Sequence, residues 1–472
     1  MSQQAVDTVP GDQSVWATLR EAVRGSHLDY TTAPIGRAVI LLAVPMVLEM
    51  MMESIFAVAD IFFVGRLGPD AVATVGFTES LMVTVYALAV GISIGASATV
   101  ARRIGEKDPE RAAGAAVQAI ILGIGVAVLL AAIGVLFGPQ LVGVMGASDS
   151  VLATGSVYAR VMLGGCGGVM LLFLINAIFR GAGDAAIAMR VLWFANTINI
   201  VLGPCLIFGL GPFPEMGVTG AATATTIGRW CGVLYQLYHL TRPGGRLRVT
   251  RAHLGLDTGA MRSILRISGT ATFQNFVGTA SWTGLIKILS GFGSAAVAGN
   301  TIGIRIVLFA LLPSFGVSNA AATLVGQNLG AGRADRAEAA AWKAGLYNTM
   351  CLGSVGLVFL AFAPLLISIF TNDPEVAAYG IRCLRIVAAG FFFYGYGMVL
   401  TQAFNGAGDT RTPTWINLTC LWMWELPLAW ALAHPAGLGP TGVFVAVSVA
   451  FSTLALVSAW LFSKGTWKTK QV

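Results

Sequence analysis

Three acidic side chains recur along one apolar stretch near the start of the chain. Glu49, Glu53 and Asp60 lie among Met, Val, Ile, Phe and Ala residues. At about 100° per residue in an α-helix, Glu49 and Glu53 are about 40° apart, and Asp60 is about 20° from Glu53 after whole turns. The three carboxyl groups therefore line one face of a single helix. Such a face can bind protons, or hold a bare cation when the carboxylates are deprotonated.

This acidic face must point away from lipid if its helix crosses a membrane. A charged side chain facing lipid at the bilayer centre costs about 2.5–3.5 kcal/mol or more, so the face must meet other helices or a water-filled cavity. Glu79, in the next apolar stretch, is a fourth acid at membrane depth. Asn199 is a candidate to orient the cluster by hydrogen bonding. The alternative is that the acids pair with intramembrane cations such as Lys287 or Arg305.

Lys287, Arg305 and Glu425 are expected to be the remaining intramembrane charges, all in the second half of the chain. Glu425 stands among tryptophans and just before Pro427. Carboxylates and aromatic faces recognise organic cations, but a structural ion pair with Lys287 or Arg305 explains Glu425 equally well.

Methionines can form an adaptable binding wall or simply pack. Pro45 and Gly65 allow the first helix to bend, as a gate that responds to protonation requires. The candidate substrate-binding residues are Met46, Met50, Asn176, Asn196, Tyr394 and Glu425.

Composition indicates that the helices that carry these residues lie in a membrane. Of 472 residues, 56% are hydrophobic and 11% charged, against about 25% charged in soluble domains. A membrane-spanning helix needs about 20 apolar residues. Twelve stretches meet this need: 38–64, 71–99, 113–137, 151–178, 187–208, 218–240, 264–290, 296–325, 340–367, 378–404, 413–433 and 440–462.

The two halves of the chain repeat one another. Gly181-Ala182-Gly183-Asp184 returns 225 positions later as Gly406-Ala407-Gly408-Asp409. The same offset relates Gly68 to Gly293, Gly105 to Gly330, Arg111 to Arg336, Pro139 to Pro364 and Arg160 to Arg385. Internal duplication is typical of secondary transporters. An even number of helices per half predicts parallel repeats, and hence an all-α membrane protein of two six-helix bundles related by a pseudo-two-fold axis near the membrane normal.

The predicted organisation follows from these repeats. An N-terminal segment (1–36) precedes the N-lobe (37–240), a linker (241–262) joins it to the C-lobe (263–463), and a tail (464–472) ends the chain. The N-terminal segment, the even-numbered loops, the tail and the residues at the adjoining span ends hold 22 of the 29 Lys and Arg. This bias predicts that the chain spans the inner membrane of the cell with both termini in the cytoplasm. The net charge of +7 is thereby explained without nucleic acid.

Two smaller features complete this picture. Trp16, Leu19 and Val23 share one helical face, which fits a short interfacial helix, or the segment is a disordered tail. The cysteines and histidines are scattered, so no metal cluster is predicted; a Na⁺ ion at Asp60 is the one metal considered.

The chain resembles the multidrug and toxic compound extrusion (MATE) family over nearly its whole length. The resemblance rests on Pro45 followed by Asp60, on Phe63–Gly68, and on the loop Arg103-Ile104-Gly105 with its counterpart Gly326–Gly330. It also rests on the repeated Gly-Ala-Gly-Asp loops. It implies antiport, in which an H⁺ or Na⁺ gradient drives export of organic, often cationic, amphipathic compounds. It further implies that Asp60 is the coupling carboxylate, with no cofactor.

The sequence departs from both main branches of that family. The DinF-like branch, which the chain resembles more, has an acid where this chain has Gly203, four residues after Asn199. The NorM-like branch has acids in the seventh and tenth spans, where Gly278 and Tyr394 stand here. We therefore predict that Glu53, together with Glu49 or Glu79, replaces the missing carboxylate.

Other functions are considered beside antiport. A lipid-linked oligosaccharide flippase of the same broad superfamily is the nearest alternative, and should line its cavity with cations. A membrane-embedded enzyme would need a Ser/His, HExxH or paired-Asp arrangement, and the sequence contains none. A channel is also less favoured, because tandem lobes suit a rocking motion more than a symmetric pore. The partners expected are small organic molecules and the lipid bilayer. One chain contains both lobes, so a monomer suffices.

Overall fold

The computed structural model describes residues 15–26 and 28–470; the other residues of the predicted N-terminal segment and tail lie outside this description. Within these ranges the chain is helical. Its α-helices are α1 (Val15–Arg24), α2 (Ile35–Gly65), α3 (Pro69–Gly105), α4 (Pro109–Val144), α5 (Asp149–Gly164), α6 (Cys166–Ala182), α7 (Ala185–Phe208), α8 (Val218–Thr241), α9 (Thr258–Ser290), α10 (Ser294–Gly330), α11 (Ala334–Ser368), α12 (Pro374–Ala389), α13 (Phe391–Gly406), α14 (Arg411–Asn417), α15 (Leu426–Ala433) and α16 (Pro440–Ser463). A π-helical segment, Leu418–Glu425, connects α14 to α15.

The twelve predicted spans are all present as helical segments. Among the described residues, eight helical segments are long and apolar enough to cross a membrane, with α5 and α6 counted as one segment. The bent pair α12–α13 makes a ninth. The other three, α8, α9 and the α14–α15 segment, carry more polar residues or are divided. The helices extend beyond the predicted bounds: α9 begins at Thr258, inside the predicted linker.

The helix breaks follow the sequence repeat. The fourth span divides at Gly165 into α5 and α6, and the tenth divides at Gly390, 225 positions later, into α12 and α13. The second pair bends by 60°. Gly68 and Gly293 share a second feature, since each precedes a helix with φ near +100°, a backbone conformation that glycine adopts without strain.

Two pairs of helices pack across the contact between the lobes, and the offset of the repeat carries one pair onto the other. α2 packs against α10, and α3 packs against α9. The offset of the repeat carries α2 onto α9 and α3 onto α10, so the two contacts are equivalent. This exchange confirms the pseudo-two-fold relation between two six-helix bundles.

Ser26 and residues 28–34 close one end of the molecule, which we call the basic end. Arg246 donates hydrogen bonds to the carbonyl oxygens of Ser26 and Leu28 at 2.6 and 2.7 Å. From the other lobe, Arg333 donates to the Thr31 carbonyl at 2.8 Å, and Arg336 donates to the Ala33 carbonyl. The segment therefore joins the linker and the C-lobe across the lobe interface.

The first residues described fold as a helix, and not as the disordered alternative. α1 packs against α2 and leaves Trp16 80% exposed. Arg37 of α2 pairs with Glu21 of α1 at 2.6 Å. The exposed Trp16 beside Arg20 and Arg24 is typical of a helix at a membrane surface.

Candidate functional site

Glu49 is buried in a network that α6 and α8 supply. It is 1% exposed, and its Oε1 accepts hydrogen bonds from Arg180 at 2.7 Å and from Asn176 at 3.0 Å. Gln236 orients Asn176 by donating to its side-chain oxygen at 2.7 Å. Arg180, which the sequence places in a loop, lies in the last turn of α6. Glu49 therefore has a counter-charge within its own lobe.

Glu53 is held by a guanidinium that the sequence analysis overlooked. Arg229 of α8 contacts both carboxylate oxygens of Glu53, at 2.7 and 3.4 Å, and is itself 3% exposed. Asn196 donates a further hydrogen bond to Glu53 at 3.0 Å. Arg229 also stacks over Phe56 and Phe173, with its guanidinium carbon 5.0 and 5.9 Å from the ring centroids. A buried, forked pair of this kind fixes geometry as well as charge.

Glu49 and Glu53 therefore pair with cations, as the alternative interpretation of these acids held. The cations are Arg180 and Arg229, and not Lys287 or Arg305, the examples named for that alternative. The expectation that all remaining intramembrane charges lie in the second half was wrong, since Arg229 lies inside α8.

Asp60 and Glu79 differ from the other two acids. Among the residues described, neither has a salt-bridge or hydrogen-bond partner. The charges that act on Asp60 are those of Glu79 and Arg229, and Arg305 of the C-lobe acts on Glu79. Tyr158 interacts electrostatically with both acids and is 3% exposed. Asp60 and Glu79, which we call the carboxyl pair, therefore interact electrostatically, and neither forms an ion pair with a described residue.

Asn199 lies apart from the acids that it was predicted to orient. Its amide donates to Thr225 Oγ1 at 2.7 Å. The orienting amides are Asn176 and Asn196, which were predicted to bind substrate and instead hold Glu49 and Glu53. Gly203 faces Asn199, because a Cβ added there would lie 3.9 Å from the Asn199 side-chain oxygen.

The other predicted residues take separate places. Met46 is fully buried in an apolar cluster where α2 meets α10, and Pro45 lies within an unbroken α2 that ends at Gly65. Tyr394 packs against Phe451 of α16 with ring centroids 4.5 Å apart. Glu425 lies in the C-lobe, away from the acidic face of α2.

Met50 lines a cavity of about 280 Å³ between the lobes. Both lobes contribute side chains to this cavity. The N-lobe gives Met50, Phe173 and Arg180, and the C-lobe gives apolar and amide side chains: Phe315, Asn275, Asn319, Gln402 and Asn405. Arg180 is the one charged side chain among the described lining residues, and Glu49 neutralises it. The cavity can therefore hold an organic molecule with apolar and hydrogen-bonding parts.

The lobes are sealed at the basic end by two glycines that the repeat relates. Gly105 of α3 lies against the backbone of Gln327 in α10, and Gly330 of α10 lies against the backbone of Arg102 in α3. These two contacts are equivalent under the 225-residue offset. No side chain fits at either position, so this conformation is closed at the basic end.

Tyr86, Tyr158 and Arg229 are site residues that sequence analysis missed. An arginine in the middle of the predicted span 218–240 was the available signal for Arg229. Tyr86 lies seven residues after Glu79 on α3, so helical spacing places both on one face, and Tyr86 interacts electrostatically with Asp60 and Glu79. Tyr158 gives no such signal, since its position beside the two acids depends on how α5 packs against α3.

Both halves of the chain match a known protein family. The family model described as MatE matches the chain twice, over residues 45–205 and 271–431. The two matches correspond to the two lobes and together cover more than half of the chain.

Individual relatives align over nearly the whole chain. A probable multidrug resistance protein NorM of Thermotoga maritima is 27% identical over 93% of this chain and 94% of its own length. A probable multidrug resistance protein YoeA of Bacillus subtilis is 26% identical over 93% and 95%. A solved structure described as the outward-facing conformation of a multidrug resistance MATE family transporter of the MOP superfamily superposes with a TM-score of 0.87, at 26% identity over 94% and 98%.

Proposed function

The chain belongs to the MatE family, and from that membership we propose that it is an antiporter that exports organic, cationic amphipathic compounds in exchange for H⁺ or Na⁺. It is a multi-pass membrane transporter of small molecules. The proposal includes the coupling ion, the class of cargo, export as the direction of transport and a cytoplasmic location for the basic end. The distribution of 22 of 29 Lys and Arg supports that placement.

The observation that carries the proposal is the division of the acidic face into two parts. Arg180 and Arg229 hold Glu49 and Glu53 at 2.7 Å each, so these two acids need no further cation. Asp60 and Glu79 lack such a partner among the described residues. Two carboxylates that interact electrostatically repel each other, and a proton or a monovalent cation bound at either one relieves that repulsion.

We therefore assign coupling to Asp60 with Glu79. This assignment changes the role of Glu53, which was predicted to replace the acid missing at Gly203. Removing the charge of Glu53 would leave Arg229 unpaired, so Glu53 is better suited to fixing α8 against α2. Since Arg305 acts on Glu79 from the C-lobe, loading of the carboxyl pair can alter attraction between the lobes.

Transport then follows from alternating access. The seal at Gly105 and Gly330 corresponds to a state that opens away from the basic end. Ion binding at Asp60 and Glu79 in that state removes negative charge from the N-lobe and so weakens the attraction of a cationic cargo to that lobe. Only a difference in ion affinity between the two states can drive the cycle. A flippase for pyrophosphate-linked cargo is less favoured, because Arg180, the one charged lining residue described, is already neutralised.

The test is flux in proteoliposomes with ethidium as the cargo and with pH and Na⁺ gradients imposed separately. We expect one gradient to drive flux in the wild type, and Asp60→Asn and Glu79→Gln to abolish it. Asp70→Asn is the matched control, because Asp70 is exposed on the same helix as Glu79 and forms no described ion pair. Flux that persists in Asp60→Asn would refute the assignment of the coupling site. Flux indifferent to both gradients would refute antiport.

A further inference from the structure

Glu425 is a carboxyl group buried in the C-lobe without a partner. It is 1% exposed, and both of its carboxyl oxygens lack a hydrogen-bond partner among the residues described. Lys287 and Arg305, its expected partners, form no ion pair with it. Glu49, which is equally buried in the N-lobe, and Glu53, whose side chain is 21% exposed, each contact an arginine and an asparagine. Among the described residues, this C-lobe acid therefore lacks the arginine and amide partners that Glu49 and Glu53 have in the N-lobe.

The surroundings of Glu425 provide little to balance a negative charge. α9 and α16 pack against its segment. α16 carries no titratable side chain along its helical span, and the basic residues of α9 form no pair with Glu425. The titratable groups that interact with Glu425 are Tyr394 of α13 and Cys420 of its own segment. An isolated ionised carboxylate in such a place costs several kcal/mol, so the neutral acid is the favoured form.

The backbone at Glu425 is also unusual. Residues Leu418–Glu425 form a π-helix, a conformation that occurs mostly as short segments at functional sites. Pro427 follows in the first turn of α15 and has no amide hydrogen to donate to the preceding turn. When a π turn becomes an α turn, the acceptor of each backbone hydrogen bond shifts by one residue, and the side chains of the segment rotate about the helix axis. The segment can therefore move the Glu425 carboxyl relative to its neighbours.

We propose that Glu425 is a proton-binding site of the C-lobe, separate from Asp60 and Glu79. The carboxyl carries its proton in the conformation closed at the basic end. When the π-helical segment rearranges and water reaches the carboxyl, the O–H bond breaks, the proton passes to water and Glu425 becomes a carboxylate. Return of the segment reverses the step by taking one proton from water. This site does not depend on the coupling role proposed for Asp60.

Infrared difference spectroscopy of the full chain in lipid tests this proposal without a transport assay. Spectra at acidic and alkaline pH are compared for the wild type, Glu425→Gln and the control Glu375→Gln, an exposed acid on α12 of the same lobe. We expect the wild type and Glu375→Gln to share a component of the protonated-carboxyl carbonyl band that Glu425→Gln lacks, whereas the contribution of Asp60 and Glu79 is common to all three proteins. Tyr394→Phe keeps the acid and should shift the same band, which covers the case in which Glu425→Gln does not fold.

Two outcomes would overturn the proposal. The protonated-carboxyl band could have the same intensity and position in the wild type and in folded Glu425→Gln, which would show that Glu425 contributes no protonated form. A carboxylate band at Glu425 that responds to Na⁺ or K⁺ at constant pH would instead identify a cation site. Because the spectra report on the carboxyl itself, failure here is distinct from failure of the ethidium assay.

Discussion

Replacing Gly105 or Gly330 by alanine should open the basic end of the molecule. A Cβ at Gly105 would lie 2.7 Å from the carbonyl carbon of Gln327, and closer to its oxygen, whereas ordinary contacts begin at 3.4 Å. A Cβ at Gly330 would lie 3.0 Å from the carbonyl carbon of Arg102. The obstacle is backbone in both cases, so no side-chain rotation relieves it. α3 and α10 must separate by at least about 0.7 Å at Gly105 (3.4 minus 2.7).

The size of the effect follows from the cost of overpacking. Extra methyl groups in well-packed interiors cost about 1–3 kcal/mol. The clash exists only in the conformation closed at the basic end, so this free energy shifts the equilibrium between closed and open states. A change of that size corresponds to a shift of about 5-fold to 150-fold. The repeat predicts similar effects for the two positions.

The population shift can be measured with spin labels at positions 111 and 335, where Arg111 and Asp335 are largely exposed on the two lobes. The labels are introduced as cysteines after the native cysteines are replaced. We expect Gly105→Ala and Gly330→Ala to lengthen the distance between the labels. Gly114→Ala is the matched control, because a Cβ there meets nothing within 4 Å. Distances like those of the control, or a lower melting temperature with an unchanged distance distribution, would refute this reasoning.

Two further predictions concern charged pairs. Arg229→Met should lower the melting temperature strongly, because breaking a buried pair costs about 3–5 kcal/mol, and adding Glu53→Gln should restore part of the loss; no restoration would contradict the pairing. Burial by itself raises the pKa of Asp29, but hydrogen bonds from Lys107 and Thr31 outweigh it and hold that pKa at about 2, below its ordinary value of 3.8. The stability that Asp29 contributes is therefore present at neutral pH and lost as the pH falls towards 2. The difference in melting temperature between wild type and Asp29→Asn should shrink over that range, and a constant difference would exclude the ion pair as its source.

Much of the site could be predicted from the spacing of residues along one helix. Glu49, Glu53 and Asp60 share a face because helical geometry is local, and lipid cannot solvate that face. Their partners could not be predicted in the same way. Arg180 reaches Glu49 from the end of α6, and Asn196, not Asn199, reaches Glu53, since the contact depends on the rotation of α7 against α2. The role of Glu53 changed for the same reason.

The sequence by itself determined the twelve spans and the duplication. These properties depend on apolar length and on a fixed offset, both of which are read along the chain. The breaks at Gly165 and Gly390 were not predicted, although the same offset relates them. Only the tertiary structure decided which acids are neutralised, because Arg229 and Glu53 are 176 positions apart and meet through the packing of α8 on α2. It also decided that Glu425 has no hydrogen-bond or ion-pair partner among the described residues. Charge balance in a low-dielectric interior depends on distances between helices, and a single sequence does not contain those distances.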